Sequence, residues 1–243
     1  GDMSGRLIGV GTGPGDPDLL TVKAVRALAG AAVVAWFAKA GRRGNARATV
    51  EGLMRADAVE LPLSYPLTTE LPTSDARYGE AIAGFFAAAA AAVEAHLVAG
   101  RTVAVLSEGD PLFYGSYMHL HVRLAPRFEA EVIPGVTAMS GCWSQAGLPL
   151  VQGDEVLTVL PGTLPEAELT RRLADSPASV IMKVGRNLGA IRRALEGAGK
   201  LARAVYVERG TMARSVTTPL AAKTDDVAPY FSIVLVPGWE NRP

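Results

Sequence analysis

Short apolar runs alternate with helix-forming stretches through the first half of this chain. Three of the junctions turn on glycine and proline: Gly11-Thr12-Gly13-Pro14-Gly15-Asp16, Glu108-Gly109-Asp110-Pro111 and Pro134-Gly135-Val136-Thr137-Ala138. An apolar run that breaks at such a turn and restarts with helical composition is a strand feeding a helix. Repetition of that unit restricts the chain to an α/β fold with largely parallel strands, and in such sheets ligands gather at the carboxyl ends of the strands. All three turns fall at those ends.

Arg6 to Val10, Ala31 to Phe37, Ala58 to Leu61, Thr102 to Leu106 and Ala130 to Ile133 read as strands, and Leu19 to Leu28, Ala46 to Arg55, Asp75 to Ala99 and Tyr117 to Leu124 as helices between them. Ala87 to Ala92 is unbroken alanine, the strongest helix former. Only thirteen residues separate Glu80 from Glu94, short of the roughly 18 that mark a membrane span, so this stretch is expected to be a packed core helix. From Pro62 to Ser74, Pro62, Pro66, Pro72, Thr68, Thr69 and Thr73 make a loop long enough to border a site. Beyond Pro134, strands are expected at Val156 to Leu160, Ser179 to Val184, Ala204 to Glu208, Ser215 to Pro219 and Tyr230 to Val236, with helices at Glu166 to Ala174 and Leu188 to Leu195. The third and fourth of these strands lie close enough for a hairpin. The expectation is two α/β domains, residues 1–134 with a largely parallel sheet and residues 135–243 with a mixed one.

Several chemistries are set aside by what the chain lacks. Lys plus Arg and Asp plus Glu each number 24, which gives no clustered basic excess for nucleic acid. His119 and His121 sit two apart on a helix and point to different faces, and Cys142 has no thiol companion, so no metal site is expected. Cys142, beside Gly141 and Trp143, reads as a buried structural thiol. The first turn misses the dinucleotide pattern, because Pro14 or Asp16 stands where the third glycine belongs. No Gly-x-Ser-x-Gly elbow is present. Arg42, Arg43 and Arg47 either form a solvated surface or meet the carboxylates of an acidic ligand. The lone cysteine and the missing leader make the cytoplasm the expected compartment, and Gly1-Asp2 reads as a remnant ahead of a native Met3. What remains is a set of turns that offer backbone amides and carbonyls to a small polar ligand.

The order and spacing of the three turns, with Tyr114-Gly115 after the second, resemble the tetrapyrrole methylases over nearly the whole chain. Met182-Lys183-Val184-Gly185-Arg186-Asn187 and Tyr206-Val207-Glu208-Arg209-Gly210-Thr211 are most similar to the members that methylate carbon 20 of precorrin-2 in cobalamin biosynthesis. The resemblance implies an S-adenosylmethionine-dependent enzyme that releases S-adenosylhomocysteine. It further implies a homodimer of two-domain subunits, the donor in a trough between domains, and a reduced tetrapyrrole as substrate, with neither nucleic acid nor membrane as partner. Carried over residue by residue, Pro14 borders the donor, while Gly109, Asp110 and Phe113 contact it from the central turn. Thr137 and Ala138 contact it from the third turn, and Val184 lines its adenine side. Glu108 stands where many members carry a small residue, which leaves its contact open between donor, substrate and neighbouring backbone.

A sulfonium methyl is already electrophilic and a meso carbon of a reduced tetrapyrrole already nucleophilic, so alignment supplies much of the rate and no protein nucleophile is needed. A proton must then leave that carbon, and Glu108, Tyr114 and Tyr117 are the candidates near the central turn. Arg186, ahead of Arg42 and Arg43, is the candidate for the substrate's acetate and propionate groups. A cobalt-loaded tetrapyrrole as substrate, an RNA ribose methylase of the same fold and a non-catalytic carrier are the alternatives, and the neutral charge argues against the second.

Overall fold

The computed structural model describes residues 3–39, 41, 43–65 and 75–238. It divides into two compact units, Gly1–Thr137 and Ala138–Pro243. The first unit runs β1 (Leu7–Gly11), α1 (Val22–Gly30), β2 (Val33–Lys39), α2 (Asn45–Thr49), β3 (Val59–Tyr65), α3 (Ala76–Val98), β4 (Val103–Ser107), α4 (Tyr117–Leu124) and β5 (Ala130–Ile133). The strands form one sheet in the order β3-β2-β4-β1-β5, and every pairing is parallel.

Period-two alternation decides which face each strand residue covers. Leu7, Val33, Ala35, Val103 and Val105 pack with α3 and α4 through Val93, Leu97, Tyr117, Leu120 and Leu124. Their neighbours Ile8, Val10, Val34, Trp36, Ala104 and Leu106 pack with α1 and α2 through Ala24, Leu28, Ala46 and Val50. The helix after β1 therefore lies on one face and the helix after β4 on the other, although β1 and β4 are hydrogen-bonded neighbours. Connections from these two parallel strands leave for opposite faces and opposite sides of the sheet, a switch point at whose carboxyl ends open α/β sheets bind ligands. That position is where Gly11-Thr12-Gly13-Pro14 and Glu108-Gly109-Asp110 leave the sheet.

Several boundaries differ from the sequence reading for identifiable reasons. Asp16 accepts a hydrogen bond from Asp18 N and caps a single 3₁₀ turn over Pro17–Leu19, so α1 begins only after Thr21, whose side chain accepts from Ala24 N at 3.0 Å. The helix expected to reach Arg55 stops at Thr49, because Gly52 takes a positive φ of 80°. The alanine-rich α3 is not a core helix on all sides. Phe86, Ala89, Ala90, Val93 and Leu97 are buried, while Ala87, Ala88, Ala91 and Ala95 face outward. Among the described residues it is the one helix long and apolar enough to cross a membrane by length and composition.

The second unit holds α5 (Ala138–Ala146), β6 (Leu157–Pro161), α6 (Glu166–Asp175), β7 (Ala178–Met182), α7 (Leu188–Gly197), β8 (Val205–Glu208), β9 (Val216–Pro219) and β10 (Ser232–Val236). Its sheet, β6-β7-β10-β8-β9, is mixed: β6 and β7 are parallel and the other pairs antiparallel, with β8 and β9 forming the expected hairpin. On one face α6 and α7 bury Leu169, Leu173, Ile191 and Leu195 against Ile181 and Val234. On the other, α5 buries Cys142 against Val180, Val207 and Leu235. Burial pushes the Cys142 thiol up to about 11, which keeps it protonated and unreactive at neutral pH.

Candidate active site

The three glycine-proline turns of the first unit meet at the carboxyl edge of the sheet and are held to one another by backbone. Gly13 and Gly109 form a reciprocal bridge, Gly109 N donating to Gly13 O at 2.9 Å and Gly13 N to Gly109 O at 3.2 Å. Thr12 N donates to Ser107 O at 2.9 Å, carrying the β1–β4 ladder one residue beyond the strands. The third turn is tied in by Asp110, whose Oδ2 accepts from Gly135 N at 3.1 Å while Oδ1 accepts from Leu112 N at 2.9 Å. Two glycines are required by this geometry. Gly109 sits at φ 62°, and a Cβ on Gly135 would fall 2.0 Å from Gly109 O.

Asp110 is thus a positioning group as the structure presents it: one carboxylate joins two turns that come from different parts of the chain. Pro14 is buried beneath the first turn, and Phe113 is partly buried with its ring 4.9 Å from that of Tyr114 in an edge contact. Tyr114 keeps a left-handed backbone, φ 54°, with 46% of its surface exposed. A large exposed aromatic in that conformation is uncommon and marks a place where surrounding structure holds the backbone against strain. Thr137 closes the third turn and Ala138 opens α5.

Glu108 points toward α2, where its carboxyl accepts the backbone N–H of Ala46, and burial raises its pKa to about 7. Of the three contacts left open for Glu108, the structure supplies the one to neighbouring backbone. Beside it the Tyr65 hydroxyl and the Ser116 hydroxyl are hydrogen-bonded, and burial raises the Tyr65 phenol. Sequence reasoning missed this pair. Tyr65 ends an alternating strand and Ser116 precedes a helix, so each residue alone signals only secondary structure, and only the β3-β2-β4 order brings them together.

Other sequence candidates lie elsewhere. Tyr117 is fully buried in the core, its hydroxyl 2.9 Å from His121 Nδ1 and its phenol pushed up to about 12 by burial. A phenol so placed neither reaches the edge nor ionises near neutral pH, which removes it from the substrate-facing set. Arg47 lies on α2, buried over the Trp36 ring, and donates to Glu60 Oε1 at 2.5 Å and Glu51 Oε2 at 2.8 Å. Arg43 pairs with the same Glu51. The carboxylates these two arginines meet are the chain's own rather than a ligand's. The stretch expected to be a loop from Pro62 begins instead as strand, since Pro62 to Tyr65 belong to β3, and Arg42 with residues 66–74, including Pro66, Thr68, Thr69, Pro72 and Thr73, lie outside the described residues. Val184 and Arg186 belong to the second unit: the Val184 side chain is buried in that unit's core, so only its backbone can serve a ligand, and Arg186 is exposed in the turn after β7. Among the described residues no group of His, Cys, Asp or Glu could hold a metal ion.

As a donor set, the edge offers closely packed backbone, the Asp110 carboxylate and the Phe113–Tyr114 aromatic pair.

A family model for tetrapyrrole (corrin/porphyrin) methylases matches residues 6–223. The chain is 72% identical over 239 residues to a Sinorhizobium precorrin-2 C(20)-methyltransferase, covering 98% of each. It is 48% identical to the Mycobacterium tuberculosis cobalamin biosynthesis protein CobIJ, over 98% of this chain and 47% of that one, and 30% identical to the Salmonella typhimurium cobalt-precorrin-2 C(20)-methyltransferase, over 98% and 99% of the two. Among solved structures, the uroporphyrin III C-methyl transferase of Thermus thermophilus matches with a TM-score of 0.66 at 26% identity, covering 95% of this chain and 97% of that one. A cobalt precorrin-4 methyltransferase matches with a TM-score of 0.69 at 24% identity, over 96% and 95%. With its parallel and mixed sheets and its three interlocked turns, the chain belongs to the tetrapyrrole methylases, a family of S-adenosylmethionine-dependent methyltransferases.

Proposed function

We propose that this protein moves the methyl group of S-adenosylmethionine to carbon 20 of precorrin-2, giving precorrin-3A and S-adenosylhomocysteine in cobalamin biosynthesis. The observation that carries the reading is the 72% identity with the Sinorhizobium enzyme of that name along essentially the whole of both chains. The anaerobic counterpart, whose substrate name includes cobalt, stands at 30%. The donor, when bound, supplies the electrophilic methyl. Pro14, Gly109, Asp110, Phe113, Thr137, Ala138 and the Val184 backbone are the residues to hold it, and the protein's work is to fix its direction toward the meso carbon and exclude water. Arg186, exposed and able to fork onto a carboxylate, suits the acetate and propionate groups at the substrate rim. A homodimer and a cytoplasmic location complete the proposal, the first from the family resemblance and the second from the lone buried cysteine.

The test is product formation. With methyl-labelled donor, precorrin-2 should take up one methyl group at carbon 20, faster than cobalt-loaded precorrin-2. Preferred turnover of the cobalt form would move the protein to the anaerobic reaction. No turnover of either would overturn the enzymatic reading in favour of a carrier.

A further inference from the structure

One end of the second unit's mixed sheet gathers positive charge. The strand register places Lys183, the residue after β7, level with Ser232 at the start of β10, and Ser232 pairs with Glu208 at the end of β8. The ladder runs one step further, since Arg209 N donates to Phe231 O at 2.7 Å. The turn after β7, residues 183–187, and the connection from β8 to β9, residues 209–215, therefore leave the sheet at the same end, on either side of β10. Between them they carry Lys183, Arg186, Arg209 and Arg214 and no Asp or Glu. On α6 and α7 of the same unit the two signs are interspersed instead: Arg171 and Arg172 pair with Glu168, and Arg193 with Glu166.

Lys183, Arg209 and Arg214 hold left-handed backbone, at φ 55°, 48° and 63°. Long side chains occupy that region at a cost the surrounding structure must outweigh, and such positions gather where the side chain has a task. At Arg209 the consequence is visible. Neighbours along an extended strand point to opposite faces, yet Arg209 brings its Nη1 to 3.0 Å from Oε2 of the adjacent Glu208. The other carboxylate oxygen, Oε1, accepts from the hydroxyl of Tyr206 at 2.7 Å, and Tyr206 is buried in the core. Glu208 thus engages one nitrogen of the planar guanidinium fork and fixes its direction. The connection that bears Arg209 is itself fastened to α5. Thr211 N donates to Gln145 Oε1 at 3.2 Å, and Gly210 packs so closely on Cys142 that a Cβ there would fall 2.8 Å from Sγ. Tyr230, just ahead of β10, lies at the same end with 82% of its surface exposed and its ring edge-on to that of Phe231.

An exposed aromatic ring beside forked cations suits a flat apolar ligand with carboxylates at its rim. We propose that this end of the second sheet, with Lys183, Arg209 and Arg214 beside Arg186, binds the acetate and propionate groups of the tetrapyrrole, and that Tyr206 and Glu208 are positioning residues for Arg209. The site rests on the reading of the protein as a precorrin-2 methylase and extends the substrate contact beyond Arg186.

Arg209→Gln and Arg214→Gln keep much of each side chain while removing its charge. Each should raise KM for precorrin-2 about tenfold with kcat within about threefold of wild type, while S-adenosylhomocysteine affinity by calorimetry stays within about twofold. Higher ionic strength should raise KM in wild type and move it little in the double variant. Tyr206→Phe should raise KM about threefold at unchanged kcat, a split that lost stability alone does not produce. Arg214 is exposed, and its variant carries the test if the Arg209 variant does not fold. A double variant with KM within about twofold of wild type, or one that loses S-adenosylhomocysteine affinity instead, overturns the site while leaving the methylase reading standing. Unchanged KM in Tyr206→Phe overturns the positioning role of Tyr206 and Glu208. A wild-type protein that methylates no precorrin-2 overturns site and methylase reading together.

Discussion

The two units differ in which residues carry their left-handed turns. In the first, the turns at the sheet edge adopt their conformations largely through glycine: Gly13, Gly15 and Gly109 all have positive φ, and Tyr114 is the one other residue there, among those described, to do so. In the second, Gly147, Gly153, Gly185 and Gly199 do the same, but Lys183, Arg209, Thr211 and Arg214 also hold left-handed backbone while keeping their side chains. A parallel sheet sends its carboxyl ends to one edge, so turns from β1, β4 and β5 converge and must pack backbone on backbone, which leaves no room for Cβ atoms. The second unit's strands are mostly antiparallel, and their exits do not crowd in this way. Non-glycine residues at positive φ cost roughly 1–2 kcal/mol each, a cost that is retained where the side chain at that point serves something. Glycine in the first unit is thus a packing requirement, and strain in the second marks side chains worth testing.

The largest expected effect breaks the first half of that contrast. Gly135→Ala places a Cβ 2.0 Å from Gly109 O, so one of the two turns must move by more than about 1 Å to restore ordinary contact. Displacements of that order at a binding edge cost about 10²-fold. Calorimetry should show S-adenosylhomocysteine affinity reduced at least that much. Retained affinity would mean that donor binding does not depend on how the third turn meets the second.

Next comes Asp110→Ala, which removes the carboxylate joining Leu112 N and Gly135 N. Hydrogen bonds to a charged group are worth about 1.5–3 kcal/mol when lost. With partial exposure taken into account, the expected loss is about 2 kcal/mol, read as a fall in Tm of about 4–8 °C, together with weaker donor binding. Weaker binding at an unchanged Tm would instead show that Asp110 touches the donor and contributes little to the turns.

How much of this was legible beforehand follows from the range of the interactions. Local patterns marked the strand and helix centres, because alternation and alanine content act within a few residues, and Tyr117–Leu124 and Ala130–Ile133 match their structural bounds. The three turns stood out because glycine and proline announce unusual backbone. Local patterns did not show what the turns do to one another. Nothing near Asp110 in sequence reveals that it bonds to Gly135 N, and nothing near Glu108 reveals Ala46 N or the Tyr65–Ser116 pair. These contacts depend on strand order, which places β4 between β1 and β2. Arg47 was misread for a related reason. Its carboxylate partners include Glu60 on β3, and a basic cluster in a glycine-rich stretch looks solvated until that strand is in place.

The smallest expected effect sharpens the second half of the contrast. Lys183→Gly relieves a backbone at φ 55° in the turn that leads from β7 to Val184 and Arg186. Relief of roughly 1–2 kcal/mol is offset by about 0.5–1 kcal/mol of added freedom in the unfolded chain. Tm should therefore hold or rise by a few degrees. If the strain is kept for the sake of the lysine side chain, the same variant should lose about tenfold in kcat/KM while its stability holds, a separation that no first-unit glycine substitution can give. Unchanged kcat/KM would show that the left-handed turn follows only from how β7 ends, and that side-chain-bearing strain in the second unit is a property of its connections rather than of its chemistry.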